Sequence, residues 1–200
     1  CALPILHRKV LSRQYFSSPT VQVARSLVGK YLVRSLAGRE VAGRIVEVEA
    51  YVGSADKACH ASKGRTPRTD VMFNVPGVAY VYLIYGIHHC LNVVTEREDF
   101  PAAVLIRAIE VDGRLIDGPG RICRTLQIDR SLNRIDLTTQ ASLWFEDRGG
   151  RIFRRQIAAL PRIGVDYAGE WAKKLWRFRL QTVLSAKSRS RSARSRTSDQ

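Results

Sequence analysis

The sequence predicts a single α+β domain with a strand-rich centre and short peripheral helices. At 200 residues, 45% of them hydrophobic, the chain is long enough to bury one substantial core, with two small domains as the alternative. Segments with a period-2 pattern of β-branched and aromatic residues recur between Tyr31 and Glu110. Helix-start chemistry sits on either side of them, at Ser17-Ser18-Pro19 and Gly118-Pro119-Gly120.

After Pro19, Val21, Ala24, Leu27 and Val28 recur at helical spacing until Gly29 stops the run, which predicts a short amphipathic helix. Tyr31 to Val33 and Glu40 to Tyr51, separated by Gly38-Arg39, predict a β-hairpin. From Gly53 to Pro76, Gly, Pro, Ser, Asp and Arg are scattered without period, the composition of a long functional loop. Val78 to Tyr85 predicts a strand broken at Gly86, and Cys90 to Thr95 and Ala102 to Glu110 predict two more. A helix is expected over Arg121 to Leu126, and weaker strand patterns run through Ala141 to Glu146 and Arg151 to Leu160. No internal repeat is visible. Ser and Arg alternate from Ser188 to Arg196, a composition that cannot bury a core, so a disordered basic tail (186–200) is expected after a domain spanning 1–185.

The formal net charge is +15, from 33 Lys and Arg against 18 Asp and Glu. The tail contributes a net +4, so +11 belongs to the fold. Such a surface attracts polyanions by releasing their counterions, which makes nucleic acid the first candidate partner. No apolar run approaches the length needed to span a bilayer, so no membrane association is expected. Cys1, Cys59, Cys90 and Cys123 are widely spaced without a CxxC pair, and no signal peptide is recognisable, which together predict a reduced, intracellular protein.

The segment Ile45 to Gly53 carries the most information about chemistry. On a strand, Val46, Val48, Ala50 and Val52 share one face of core character, while Glu47, Glu49 and Tyr51 share the other and must look into a cleft or solvent. Two carboxylates and an aromatic beside a packed face form a candidate active-site wall, and a merely solvated face is the competing reading. Tyr80 and Tyr82 fall on one face of a later strand, and Tyr85 falls on the other, beside the Gly86 turn. One tyrosine can thus line a pocket while another protrudes from a hairpin tip, an arrangement that stacks on a base and wedges a duplex open; simple packing of all three is the alternative. His60, His88 and His89 with Cys59 and Cys90 are zinc-ligand types. Their spacing argues against a metal, since adjacent strand residues point to opposite faces and neither CxxC nor HExxH is present. Val75-Pro76-Gly77-Val78 has the look of a helix-hairpin-helix turn, but the β formers Ala79-Tyr80-Val81-Tyr82 follow it where that motif needs a helix.

Taken together, GRIVEVEAYVG (Gly43 to Gly53), KACHASKGRTPRTDVMF (Lys57 to Phe73), PGVAYVYLIYGIHHCLNVVT (Pro76 to Thr95), VLIRAIE (Val104 to Glu110), DGPGRICRTL (Asp117 to Leu126) and RIGVDYAGEWAKK (Arg162 to Lys174) resemble the alkyladenine, or 3-methyladenine, DNA glycosylase family in its bacterial-length form. The resemblance runs in order from about Ala24 to Phe178. It implies a compact single domain on a curved, largely antiparallel sheet with peripheral helices and a protruding hairpin, which excises alkylated or deaminated purines from duplex DNA. By resemblance, Glu49 matches the carboxylate that activates water, Arg107 the arginine that helps to hold that water, and Ile163 a backbone carbonyl that touches it. Tyr51, His60 and Tyr82 match the residues that enclose the flipped base, with the His60 main-chain N–H reading the purine edge. Asn92 matches a side chain beneath the pocket that screens exocyclic amino groups, and Tyr85 the wedge that fills the vacated duplex position. Arg65, Arg68 and Arg121 lie in matching basic segments and are the candidate phosphate contacts. Leu175, where a proline commonly follows the basic pair after GEWA, and the Ser/Arg tail depart from the family pattern.

These residue types suit the chemistry independently of the resemblance. N-glycosidic cleavage passes through an oxocarbenium-like state, and one carboxylate can deprotonate water and stabilise the cation. Glu47 either raises the pKa of Glu49 or makes a structural salt bridge, and the latter is expected. The overall expectation is a monofunctional purine DNA glycosylase that uses water and neither metal nor organic cofactor. It is expected to act as a monomer on damaged duplex DNA, in the cytoplasm with the nucleoid of a bacterium or in a eukaryotic nucleus. The rivals are a basic nucleic-acid binder without catalysis and a zinc hydrolase using His60, His88 or His89.

Overall fold

Ten strands, antiparallel at every pairing, form one open sheet in the computed structural model, which describes residues 8–181. Strand β1 (Lys9–Val10) and the single turn α1 (Arg13–Phe16) lead into helix α2 (Thr20–Leu27). Helix α2 buries Val23, Ala24 and Leu27 on one side, as its apolar spacing predicts. The Thr20 N–H at its start finds a distant acceptor in the Glu96 carboxylate, at 3.1 Å, which also takes the Thr20 hydroxyl at 2.6 Å. It ends at Gly29, where φ is +93° and a Cβ would lie 2.4 Å from Ile152, so only glycine fits.

Strands β2 (Tyr31–Leu36) and β3 (Arg39–Val52) form the expected hairpin, turning at Ala37-Gly38, both of which have positive φ. The segment between β3 and β4 (Ala79–Ile84) is a long loop with 3-10 turns at His60–Lys63 and Asp70–Phe73. Paired positive φ angles recur at Tyr85-Gly86, before β5 (His88–Val94), and at Asp112-Gly113, between β6 (Ala102–Val111) and β7 (Arg114–Asp117). Helix α3 (Pro119–Thr125) follows, then β8 (Leu143–Asp147), β9 (Ile157–Leu160) and β10 (Arg177–Leu180). The strand expected over Arg151 to Leu160 is corrected to its second half. Residues Arg154–Gln156 form a 3-10 turn, closed by the Phe153 N–H donating to the Gln156 side chain at 2.8 Å.

The sheet order is β1-β8-β2-β3-β6-β5-β4, with β7 beside β6, β10 beside β3, and β9 beside β10. Strand β3 changes neighbour half-way along. Through Arg44 it pairs with β2, and from Glu47 to Glu49 with β10, while β6 follows its other edge. The register slips between Ile45 and Val48, a bulge that bends β3 as it leaves one partner for the other. One face of this junction carries the core, where Val48, Ile106 and Phe178 pack with Leu27 of α2 and Ile122 of α3. The other face presents Glu47, Glu49 and Arg107, and the loop after β3 and the segment after β9 fold over it.

Cys59, Cys90 and Cys123 are buried free thiols, while Cys1, the expected domain boundary at 185 and the Ser/Arg tail lie outside the described residues. No helix among the described residues is long and apolar enough to cross a membrane.

Candidate active site

Strand register aligns Arg177 (β10), Glu49 (β3), Leu105 (β6), Asn92 (β5) and Tyr80 (β4) in one row across five strands. Laterally paired residues share a face, so this row runs across the side of the sheet away from the core. Above it lies a cleft of about 420 Å³, a volume typical of small-molecule sites. Its walls are Ala58, His60 and Met72 from the loop after β3, and Ile163 to Val165 and Tyr167 from the segment after β9.

Glu49 is 0% exposed and sits directly behind three cleft-lining residues. Its Oε1 accepts the Ile163 N–H at 2.8 Å, and its Oε2 accepts the Tyr51 hydroxyl at 2.8 Å and Arg107 Nη1 at 3.3 Å. Burial pushes the Glu49 carboxyl above its ordinary pKa; Arg107, the Ile163 N–H and the Tyr51 hydroxyl oppose that shift without cancelling it, and the Glu47 charge adds to it. Glu47 is equally enclosed, at 1% exposure, so the solvated-face reading of this strand is wrong. Period 2 on β10 brings Arg177 and Arg179 to that face, and both meet Glu47, at 3.0 and 2.6 Å, with Arg107 Nε at 3.5 Å. Glu47 thus holds a structural salt bridge, as expected.

The aromatic end of the cleft is built on β4. His60 Nδ1 lies 3.0 Å from the Tyr80 hydroxyl, and its ring meets Tyr82 edge-on at 4.6 Å. Burial, assisted by the nearby Arg68 charge, lowers the His60 pKa to about 4, so the imidazole is neutral at physiological pH. Asn92 is buried beneath, its Nδ2 donating to the Tyr80 carbonyl at 3.2 Å. Among the described residues no group of three or more His, Cys, Asp or Glu is placed to hold a metal ion.

Tyr85 departs from strand alternation. Its φ of +52° makes it a turn residue, and instead of lying behind the sheet it stands at the cleft mouth, 87% exposed. Arg68 lies over the Tyr82 ring at 5.2 Å, and Arg121 is exposed on α3. Arg65 is matched by two carboxylates, Asp70 at 2.7 Å and Asp99 at 3.1 Å.

Residues 14–183 match the family model described as methylpurine-DNA glycosylase. The chain belongs to this family. A relative from Methanocella arvoryzae is 51% identical over 84% of this chain and 91% of its own length. One from Myxococcus xanthus is 48% identical over 84% and 88%, and one from Sodalis glossinidius is 44% identical over 88% and 99%. All three carry the provisional name 3-methyladenine DNA glycosylase. Family membership makes this chain a DNA glycosylase, a hydrolase of N-glycosyl bonds in base-excision repair, with DNA as its substrate.

In this glycosylase the cleft gathers Tyr51, His60, Tyr82, Asn92, Arg107 and Ile163 around or in front of Glu49, with Tyr85 at the rim. Reasoning from sequence missed Arg177 and Arg179, the buried pair Arg162–Asp56, and Tyr167, which stands 73% exposed at the mouth. The Arg-Phe-Arg alternation of 177 to 179 was the signal for the first two.

Proposed function

We propose that the chain binds duplex DNA, flips a damaged purine nucleotide into the cleft, and hydrolyses its N-glycosidic bond with a water activated by Glu49. The observation that carries this reading is a buried carboxylate of raised pKa immediately behind a cleft walled by Tyr51, His60 and Tyr82. Such an electron-rich aromatic wall suits a purine made cationic by alkylation. Because Glu49 is sealed in the free chain, one of its partners must yield to admit water. Arg107, at 3.3 Å, is the loosest of them. A water inserted there accepts from Arg107 and donates to Glu49; as it attacks the anomeric carbon, its proton passes to Glu49 and the bond electrons leave with the base. Among the described residues no lysine lines the cleft, which favours hydrolysis to an abasic site in an intact strand over Schiff-base chemistry. The test is incubation with duplexes carrying 3-methyladenine, 7-methylguanine, hypoxanthine or ethenoadenine, scored for released base. Tight lesion binding without release from any of them would make the chain a binder.

The raised Glu49 pKa has a kinetic signature. The base works ionised, so excision of neutral hypoxanthine should fall as pH drops through that pKa, with the acid limb above the ordinary carboxylate range. His60, titrating at about 4, adds nothing in that window. A single-turnover pH profile checks this, and a limb at the pH of a free glutamate would mean that Glu49 does not set it.

Tyr85 is the proposed wedge. Its exposure makes the fold indifferent to its removal, so Tyr85→Ser should weaken lesion-duplex binding by about 1–3 kcal/mol, the worth of a stacked aromatic, at an unchanged melting temperature. Fluorescence anisotropy against a labelled duplex measures it; unchanged affinity and unchanged excision together would remove Tyr85 from that role.

A further inference from the structure

Arg162 is a fully enclosed cation that the proposed chemistry leaves unused. Its Nη1 and Nη2 reach the two oxygens of Asp56 at 2.5 and 2.9 Å, and they also donate to the carbonyls of Ala50 and Trp171, each at 3.0 Å. The guanidinium lies against the rings of Tyr51 and Trp176, at 4.9 and 5.2 Å. Asp56 is equally committed, taking the N–H groups of Val52 and Ala58 at 3.1 Å. One ion pair therefore ties together the end of β3, the loop after it, and the chain on both sides of Asp166–Lys173.

A dry ion pair is a poor device for stability, since apolar residues of similar volume often serve as well, whereas a bidentate fork fixes orientation. Here the fork is set against two of the groups that hold Glu49. The residue after Arg162 is Ile163, whose N–H meets Glu49 Oε1, and the ring stacked on Arg162 is Tyr51, whose hydroxyl meets Glu49 Oε2. Two of the three groups that hold Glu49 are thus attached to Arg162, one through the chain and one through ring contact.

We propose that the buried Arg162–Asp56 pair is a positioning latch for N-glycosidic hydrolysis, holding the Ile163 N–H and the Tyr51 hydroxyl on the two oxygens of Glu49; this rests on the reading of Glu49 as the water-activating group. Neither Arg162 nor Asp56 lines the cleft, so the latch acts on the rate through the groups that hold Glu49, of which Tyr51 also walls the cleft.

The test is a double-mutant cycle between Asp56→Asn and Glu49→Gln, read as the single-turnover excision of hypoxanthine from a duplex across pH. Asp56→Asn, nearly isosteric, is expected to lower the rate by about a hundredfold, the usual consequence of a misplaced catalytic group, with duplex affinity unchanged. Its acid limb should move to higher pH, because a loosened Ile163 N–H no longer favours ionised Glu49. In the Glu49→Gln background the same change should cost nothing further. Equal fractional losses in both backgrounds would make the pair a structural brace and overturn the latch. A Glu49→Gln protein with full activity would instead defeat the reading of Glu49, and the latch with it, a pattern the cycle distinguishes from the first. Arg162→Lys, which keeps the charge but loses the fork, should show a smaller loss with the same limb shift. If neither variant folds, amide hydrogen exchange in the wild-type chain decides. An Ile163 amide protected like the amides of β9 supports the latch, and one exchanging like a free loop amide overturns it.

Discussion

Glu49→Gln is expected to slow single-turnover excision of hypoxanthine by about two to four orders of magnitude while lesion-duplex affinity persists. The amide keeps the shape of the side chain and can still accept the Ile163 N–H, and the Tyr51 hydroxyl can reverse to accept from the new NH2 group. What is lost is basicity and negative charge, so water activation and oxocarbenium stabilisation fail together. A neutral lesion is the right probe because a cationic alkylpurine leaves more easily and hides part of the loss. Stability should move the other way. The folded-state pKa of Glu49 is raised, so the stability this group contributes is complete below the unfolded carboxylate's pKa and is lost as pH rises through the folded value. At neutral pH the ionised Glu49 is therefore a cost to the fold, and the Gln variant should melt at or above the wild-type temperature, with the difference closing toward acid. Thermal melts across pH read this directly; a Gln variant melting far below wild type at pH 7 would show that its inactivity is a folding defect.

How far this site could be read from sequence depended on the range of the interactions. Alternation is a local property, so the shared face of Glu47, Glu49 and Tyr51 was legible, as was the apolar face of Val46, Val48 and Ala50. The enclosure of both carboxylates was not, because Arg177 and Arg179 arrive from a four-residue strand about 130 positions away and read in isolation as a solvated basic stretch. The Arg162–Asp56 pair, 106 positions apart, was hidden for the same reason, as was the carboxylate of Glu96 at the start of α2. Strand β7 was missed despite its Asp112-Gly113 turn, since Arg-Leu-Ile-Asp carries too little apolar pattern to stand out. Tyr85 shows the opposite failure. A local rule was applied one residue too far, into a turn whose positive φ ends the alternation and carries the ring to the cleft mouth.

The two carboxylates of β3 look alike in sequence and should behave in opposite ways on neutralisation. Glu47→Gln is expected to cost about 3–5 kcal/mol of folding stability, a fall in melting temperature of roughly 6–20 °C for a domain of this size. Glu47 is the centre of a cluster in which Arg177, Arg179 and Arg107 converge, and Arg179 is itself buried, with its other end 3.5 Å from Asp117. The contact of Arg179 Nη1 with Glu47 Oε2 is short at 2.6 Å but lacks hydrogen-bond alignment, so its strength is Coulombic and vanishes with the charge. Neutralising Glu47 would leave the guanidinium groups of Arg177 and Arg179 on β10 and of Arg107 on β6 converging on a neutral side chain, the costly half of breaking a buried ion pair. Chemistry should survive, because Glu49 keeps its contacts to Ile163 and Tyr51; at a temperature well below the melting point, hypoxanthine excision is expected within about tenfold of wild type. Denaturant or thermal unfolding beside a single-turnover assay separates the two effects. If Glu47→Gln abolished excision at an unchanged melting temperature while Glu49→Gln left it intact, the water-activating group would lie one strand repeat earlier than proposed.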